Sequence, residues 1–346
     1  MNGTNQRQLD YKGNLAIIKI VAATIIVFHH FQQVFSVQFG GIEFYGGSFN
    51  FGYLVELFFL VSGFLVEYRL RDDRTFMKYI IHKLKRYYPF AIIACIFSLI
   101  IALIYYTILG KPQFDLNYDF FTVIASIFLF HSGWIIEFSP AINNPTWYLC
   151  VLTICYMVFY FINKISNKKV KNTIPFIISV AMVPSYYVIT HWSISIPFFH
   201  LMNIRGYASF FLGIGICFLY KNLQKRTIIF IDVILGVLSI GVAVFLKAFN
   251  WYIFTYMFYP MIVFLALIIP QLNNHSITKL GEISFEVYLW HVPIMAILNL
   301  IIDVTKIEIS YSYLVMLCLC LFIWIWSTMI YYIVQNPLSK ILKKIC

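Results

Sequence analysis

Long apolar stretches separated by short polar ones dominate the pattern of this chain. A helix needs roughly 20 mostly apolar residues to cross the hydrocarbon core of a bilayer. Ten such stretches follow one another along the sequence. They lie near residues 15–36, 51–68, 89–109, 147–163, 174–190, 205–220, 228–247, 251–270, 281–302 and 311–334. The pattern predicts an all-α fold, a polytopic membrane bundle of about ten transmembrane helices.

Composition supports this class of protein. Of the 346 residues, 61% are hydrophobic and only 11% are charged, whereas soluble domains contain about a quarter charged residues. The seven cysteines are scattered without a CxxC-type spacing, so we predict neither a metal site nor a disulfide framework. We see no tandem repeat, linker or appended soluble domain, and we expect one membrane-embedded domain over residues 1–346.

The placement of charge predicts the topology. A short apolar piece at 120–131 could be an eleventh span, a re-entrant segment or an interfacial helix. If it does not cross and the N-terminus is inside, 20 of the 25 Lys and Arg residues fall on the cytoplasmic side, as the positive-inside rule requires. If it crossed, every later loop would change sides and this asymmetry would collapse. We therefore predict ten spans with both termini in the cytoplasm, and we attribute the net charge of +11 to topology rather than to nucleic-acid binding.

Two segments between spans have their own character. Residues 69–88 interleave basic and aromatic side chains, which is typical of an amphipathic helix at the inner membrane interface. Residues 110–146 form the longest polar-leaning stretch, and we expect it to be external and to fold against the bundle.

Ionisable residues within the first span are costly in hydrocarbon and therefore suggest a function. Lys19 and His30 are 11 residues apart, which at 100° per residue leaves them about 20° from the same helix face and ~16 Å apart along the axis. His29 is turned away by about 80° and is expected to be a packed or hydrogen-bonded neighbour. Purely structural roles are the alternatives: Lys19 could snorkel to the inner headgroups, and His30 could make an interhelical hydrogen bond.

Polar residues in or beside three other spans could serve the same site as Lys19 and His30. Glu56 enters the second span at a depth similar to His30, where a carboxylate could orient the imidazole, or it could simply face external water. Lys83 and Arg86 share a helix face at i,i+3 and could grip phosphate groups or anchor to lipid headgroups. Glu286 and His291 lie within the ninth span, where His291 could instead simply make an interhelical hydrogen bond.

Six motifs appear in order along nearly the whole chain. They are Lys19, ten residues, then His30; "GYLVELFFLVSGFL" with Glu56, Ser62 and Gly63; "KLKRYYP" with Lys83, Arg86 and Pro89; "NPTWYL" with Pro145 and Trp147; "RGYASFFLG" from Arg205; and "ISFEVYLWHVP" with His291. Together they resemble membrane acyltransferase family 3, bacterial enzymes that O-acylate sugars. Three positions depart from the family pattern: Lys replaces Arg at 19 and 83, and "WYLCVL" lacks the acid of the family's W-S-L-x-x-E.

The resemblance implies an O-acyltransferase that takes an acyl group from acyl-CoA, most often acetyl-CoA, as a co-substrate, with no permanently bound cofactor. The acceptor would be a hydroxyl of a cell-surface glycan or lipid-linked saccharide, and the enzyme would be a multi-pass protein among the lipids of the bacterial cytoplasmic membrane.

In this interpretation Lys19, Lys83 and Arg86 bind the nucleotide phosphates of the donor. His30 is the general base oriented by Glu56, or it is transiently acylated and relays the acyl group. Ser62, Trp147, Arg205, Glu286 and His291 support the site or contact substrate. The alternatives are a glycolipid transporter or flippase, an acyltransferase of another class, and a receptor. A transporter would be expected to show inverted repeats, and none is visible in the sequence.

Overall fold

The computed structural model describes residues 12–38, 40–69, 74–116, 119–138, 141–247, 249–272, 274–307 and 312–344. Arg7 and Arg71, two of the basic residues assigned to the cytoplasmic side, lie outside these ranges, as do parts of the segments 69–88 and 110–146.

Ten helices in the described part of the chain are long and apolar enough to cross a membrane. They are α1 (Gly13–Phe35), α2 (Phe51–Tyr68), α4 (Tyr88–Leu109), α6 (Asn144–Asn163), α7 (Lys168–Trp192), α8 (Leu201–Asn222), α9 (Lys225–Leu246), α10 (Trp251–Ile268), α11 (His275–Thr305) and α12 (Tyr313–Leu342). Two shorter helices, α3 (Phe76–Leu84) and α5 (Phe120–Ile127), lie between them. The predicted all-α bundle with ten candidate spans is confirmed.

The two short helices are too short to cross the bilayer. Helix α5 has eight residues, or about 12 Å, against a hydrocarbon core of about 30 Å. The piece at 120–131 is therefore not an eleventh span. Helix α3 buries Tyr79 and Ile80 while Met77 and His82 are exposed, and its buried face packs on α6. Helix α3 thus has one buried and one exposed face. The location of segment 69–88 at the inner membrane interface stays a prediction, as does the side of the membrane that each loop and terminus faces.

Helices α2 and α8 cross with their backbones in contact. A Cβ atom added at Gly63 would lie 1.9 Å from the carbonyl oxygen of Phe210, and one added at Gly213 would lie 2.0 Å from that of Leu60. Small residues let two membrane helices approach until their backbones touch, and here each helix supplies one glycine to the other. This crossing fixes the position of α2, the helix that carries Glu56 and Ser62.

Helix α1 packs along α11 and brings together the first and the last of the predicted motifs. Near its start, α1 also contacts α10, where the buried Asn14 side chain donates to the carbonyl oxygen of Ala266 at 3.0 Å. Further along the pair, the rings of His30 and His291 lie with their centroids 5.0 Å apart.

The segment 110–146 packs against the same bundle. The Gln113 amide is buried and donates to the Ala296 carbonyl oxygen on α11 at 2.8 Å. Asn143, also buried, donates to the Leu289 carbonyl oxygen at 3.1 Å. The expectation that this segment folds against the helices is confirmed, because its polar side chains satisfy backbone carbonyls of α11.

Candidate active site

A cavity of about 520 Å³ opens among α1, α2, α3, α6, α11 and α12. Four cationic side chains line part of its wall: Lys19, Arg69, Lys83 and Arg86. The sequence predicted that three of these, Lys19, Lys83 and Arg86, serve one site, and the structure brings all three to the same cavity. Arg69, from the end of α2, joins them and was not singled out in the sequence.

The local fold explains how Lys83 and Arg86 reach the cavity together. Lys83 lies in the last turn of α3, and its ammonium sits over the rings of Tyr79 and Tyr156, 5.1 and 5.0 Å from their centroids. The chain then turns tightly, with the Arg86 amide donating to the Lys83 carbonyl oxygen at 3.1 Å. The result is a cationic wall backed by aromatic rings, a setting that suits phosphate groups.

Another part of the cavity wall is apolar and aromatic. Phe58 and Leu65 of α2 line it together with Tyr148 of α6 and Tyr288 of α11. The Ser62 hydroxyl lies 2.9 Å from the Tyr148 hydroxyl. Ser62 therefore stands in the wall as a hydrogen-bonded side chain.

His30 lies outside this lining and is linked to it by two rings. Tyr288 of α11 lines the cavity. The centroid of its ring is 5.8 Å from that of His291. The His291 ring is in turn 5.0 Å from that of His30. Tyr288 and His291 are buried, and His30 is half-buried. We call the part of the wall formed by Lys19, Arg69, Lys83 and Arg86 the cationic mouth. The cationic mouth and His30 thus belong to one continuous region, with the rings of Tyr288 and His291 between them.

The tautomer of His30 is set by Gln33, one turn along the same helix. His30 Nδ1 and the Gln33 amide oxygen are 2.8 Å apart. Because an amide oxygen can only accept, Nδ1 carries the hydrogen and Nε2 keeps its lone pair. Gln33 was not among the residues predicted from the sequence, although its i,i+3 spacing from His30 places the two side chains on one helix face.

The structure gives Glu56 a different partner from the one predicted. Its carboxylate accepts from Arg205 Nε at 2.5 Å and from Arg205 Nη2 at 3.0 Å, with Glu56 fully buried and the Arg205 side chain 13% exposed. The prediction that Glu56 orients His30 is therefore wrong. Hydropathy alone placed Arg205 at the outer edge of its span, but α8 begins at Leu201, which puts the guanidinium one turn inside the helix.

Arg205 is held on several sides at once. It donates to the Gly52 carbonyl oxygen at 3.1 Å, and its guanidinium carbon lies 5.4 Å from the Tyr53 ring centroid and 5.1 Å from that of Trp147. Trp147 and Arg205, predicted separately, thus form one cluster with Glu56. An ion pair packed between aromatic rings is a rigid joint between α2, α6 and α8.

His29 is occupied by the loop that follows α1. It is 7% exposed, and its Nδ1 donates to the Phe44 carbonyl oxygen at 2.7 Å. The nearby Gln32 amide oxygen accepts from the backbone N–H groups of Phe44 and Tyr45 at 2.6 and 2.9 Å. The expectation that His29 is a hydrogen-bonded neighbour is confirmed, and its partner is a backbone carbonyl.

The two polar residues of α11 have separate surroundings. Glu286 accepts from the Trp290 indole N–H at 3.1 Å within its own helix, so it is not brought to His30 by any contact described. His291 Nδ1 lies 3.3 Å from the Val287 carbonyl oxygen. That contact leaves Nε2 as the acceptor, and among the described residues this buried atom has no hydrogen-bond partner.

Comparison with known proteins identifies the family. The model of a family described as an acyltransferase domain, acyltransferase family 3, matches residues 13–335. Neither the curated proteins nor the solved structures include a match. The matched region contains all ten candidate spans but for the last residues of α12, together with His30 and the four cationic residues of the cavity wall. The chain belongs to the acyltransferase 3 family and is a multi-pass membrane acyltransferase.

Proposed function

We propose that this enzyme transfers an acetyl group from acetyl-CoA to a hydroxyl of a cell-surface glycan or lipid-linked saccharide, in the bacterial cytoplasmic membrane. The observation that carries the proposal is the cavity whose wall holds Lys19, Arg69, Lys83 and Arg86. Coenzyme A is an anionic nucleotide on a long, thin arm. A cationic mouth that continues into an aromatic-lined space matches both parts of that molecule.

The donor would enter from the cationic side. Its phosphates would lie against Lys19, Lys83 and Arg86, where charge-assisted hydrogen bonds to phosphate are strong. The arm would run past Phe58, Tyr148 and Tyr288. Lys19 and His30 are ~16 Å apart along α1, a distance that an extended arm of this kind spans.

His30 would act on the acceptor hydroxyl. Its Nε2 lone pair takes the hydroxyl proton while the oxygen attacks the thioester carbonyl. The tetrahedral intermediate collapses, the new ester bond remains, and the C–S bond breaks to release the CoA thiolate, which takes up the proton from His30. In this scheme Gln33 replaces Glu56 as the residue that holds the imidazole in the reactive tautomer. An acyl-His30 relay uses the same geometry, with Nε2 as the nucleophile.

A binding experiment with a charge-matched control tests the donor site. Labelled acetyl-CoA is titrated into purified wild type, Arg86→Ala and Arg226→Ala; Arg226 is exposed at the start of α9 and does not line the cavity. Because a hydrogen bond to a charged group contributes roughly 1.5–3 kcal/mol, we expect Arg86→Ala to weaken binding about tenfold or more, and Arg226→Ala to bind as wild type does. Equal weakening by both variants, or no binding to wild type, would overturn the donor assignment.

The acceptor is tested in cells. NMR spectra of surface polysaccharide from strains with and without the gene should differ by the loss of O-acetyl signals. Identical O-acetyl signals in the two strains would refute a surface glycan as the acceptor.

A further inference from the structure

A second polar group in the cavity wall has no part in the scheme above. It comes from the inner ends of α11 and α12 and consists of Glu282, Gln335, Asn336 and Ser339. The cationic group suits phosphate, whereas the amide and hydroxyl side chains of this second group suit a neutral, hydrogen-bonding ligand. The two groups would suit two chemically different parts of one ligand.

Gln335 supplies the most specific observation. Its amide oxygen is buried and, within the described part of the chain, has no hydrogen-bond partner. A buried acceptor left unpaired is unfavourable, and Gln335 lines the cavity. A ligand in the cavity that carries a hydrogen-bond donor would satisfy this oxygen.

The backbone around Gln335 departs from a regular helix. Residues Tyr331–Gln335 form a π-helical turn within α12, and such turns occur frequently at functional sites because they redirect side chains. The turn is fixed to α11: Tyr331 Oη accepts from Lys279 Nζ at 2.6 Å and donates to Glu282 at 3.1 Å. Gln335 and Asn336 are thus presented to the cavity from an anchored turn.

We propose that Gln335, with Asn336 beside it, recognises the adenine base of the acyl-CoA donor, an inference that rests on the proposed function. Adenine carries an N6 amino donor next to the N7 acceptor, and the side-chain amide of Gln or Asn matches this pair with two parallel hydrogen bonds. The Gln335 oxygen accepts from N6 and its amide nitrogen donates to N7. The cationic residues hold the phosphates, and the π-helical turn holds the base.

The proposal predicts discrimination between two nucleotides of equal charge. Hypoxanthine has a carbonyl oxygen where adenine has its amino group, so it would place an acceptor against the Gln335 oxygen. Adenosine 3′,5′-bisphosphate and inosine 3′,5′-bisphosphate compete with labelled acetyl-CoA on the purified full-length chain. A bidentate pair discriminates between bases by about tenfold, and we expect the adenosine compound to compete at about tenfold lower concentration.

Two variants and a matched control assign this preference to Gln335. Gln335→Met keeps the length of the side chain and should bring the ratio of the two competitors close to one. Gln335→Glu keeps an acceptor for N6 but loses the donor to N7, and should leave an intermediate ratio. Gln224→Met changes an exposed glutamine at the start of α9 and should keep the wild-type ratio.

The outcomes separate this inference from the proposed function. If wild type binds labelled acetyl-CoA but both bisphosphates compete equally, or if both Gln335 variants keep the wild-type preference, adenine recognition by Gln335 is overturned and the donor site stands. If wild type does not bind acetyl-CoA at all, the proposed function itself fails.

Discussion

The buried charges of Glu56 on α2 and Arg205 on α8 should depend strongly on each other. The two side chains share hydrogen bonds of 2.5 and 3.0 Å, and Glu56 is fully buried. At an effective dielectric constant of about 20, unit charges about 3 Å apart attract each other by roughly 5–6 kcal/mol. Most of this attraction offsets the cost of removing both charges from water, so the pair as a whole contributes little net stability.

Removing one partner should therefore be far worse than removing both. In Glu56→Leu the guanidinium stays charged and buried without its counter-ion, and we expect the free energy of unfolding to fall by about 3–5 kcal/mol. In Arg205→Met the free energy of unfolding should also fall. The double variant has no buried charge at this point, and we expect it to return to within about 1 kcal/mol of wild type.

The assay is a double-mutant cycle on the purified protein, with unfolding by SDS followed by tryptophan fluorescence. Trp147 lies beside the Arg205 guanidinium and should report the loss of this cluster. A coupling energy of several kcal/mol is the expected result. If both single variants unfolded within about 0.5 kcal/mol of wild type, the two charges would not be coupled and the reasoning would be wrong.

Two further predictions concern the helix crossing and the orientation of the base. Gly63→Ala places a Cβ 1.9 Å from the Phe210 carbonyl oxygen and should lower the free energy of unfolding by about 1–3 kcal/mol in the same assay. The control Gly241→Ala has nothing within 4 Å of the added Cβ and should not destabilise the protein. Equal losses in the two variants would contradict the close crossing. Gln33→Leu leaves the His30 tautomer unfixed and should lower kcat about tenfold or more. The loss should not exceed the 10²–10⁴-fold that a general base contributes as a whole, and the KM for acetyl-CoA should stay unchanged. An unchanged kcat would remove Gln33 from the mechanism.

The spans and the cationic mouth could be predicted because their causes are local. Hydropathy over about 20 residues gives the ten helices, and the 100° step of a helix puts Lys19 and His30 on one face whatever surrounds them. The motif with Lys83 and Arg86 lies in one turn of chain, so its spacing already implies a shared direction. These properties depend on residues near one another in sequence.

The partner of Glu56 depends on how helices rotate against each other, and sequence depth does not contain that information. Glu56 and His30 enter the membrane at similar depths, yet α2 turns the carboxylate toward α8 because Gly63 and Gly213 bring those two helices into contact. The family motif that contains Arg205 marked the residue as important without indicating its partner. A rule that charges buried in a membrane pair with each other would have matched Arg205 to Glu56.

The role of Gln335 on α12 could not be predicted from the sequence either. Gln335 lies past the end of the predicted span at 311–334, where a polar residue is ordinary. Its importance comes from the π-helical turn at Tyr331–Gln335 and from the bonds that tie Tyr331 to α11. A pattern of regular helical periodicity contains neither feature.

The central claim is that His30 performs the chemistry and that the cationic cavity holds the donor. The most direct measurement is the rate of transfer from labelled acetyl-CoA by purified His30→Ala, with acetyl-CoA binding measured on the same sample and His29→Ala as the neighbouring control. We predict that His30→Ala loses 10²–10⁴-fold in kcat while it still binds acetyl-CoA, and that His29→Ala, whose ring serves the loop at Phe44, keeps more of the activity. Transfer by His30→Ala at the wild-type rate, or an inactive His29→Ala beside an active His30→Ala, would contradict the account.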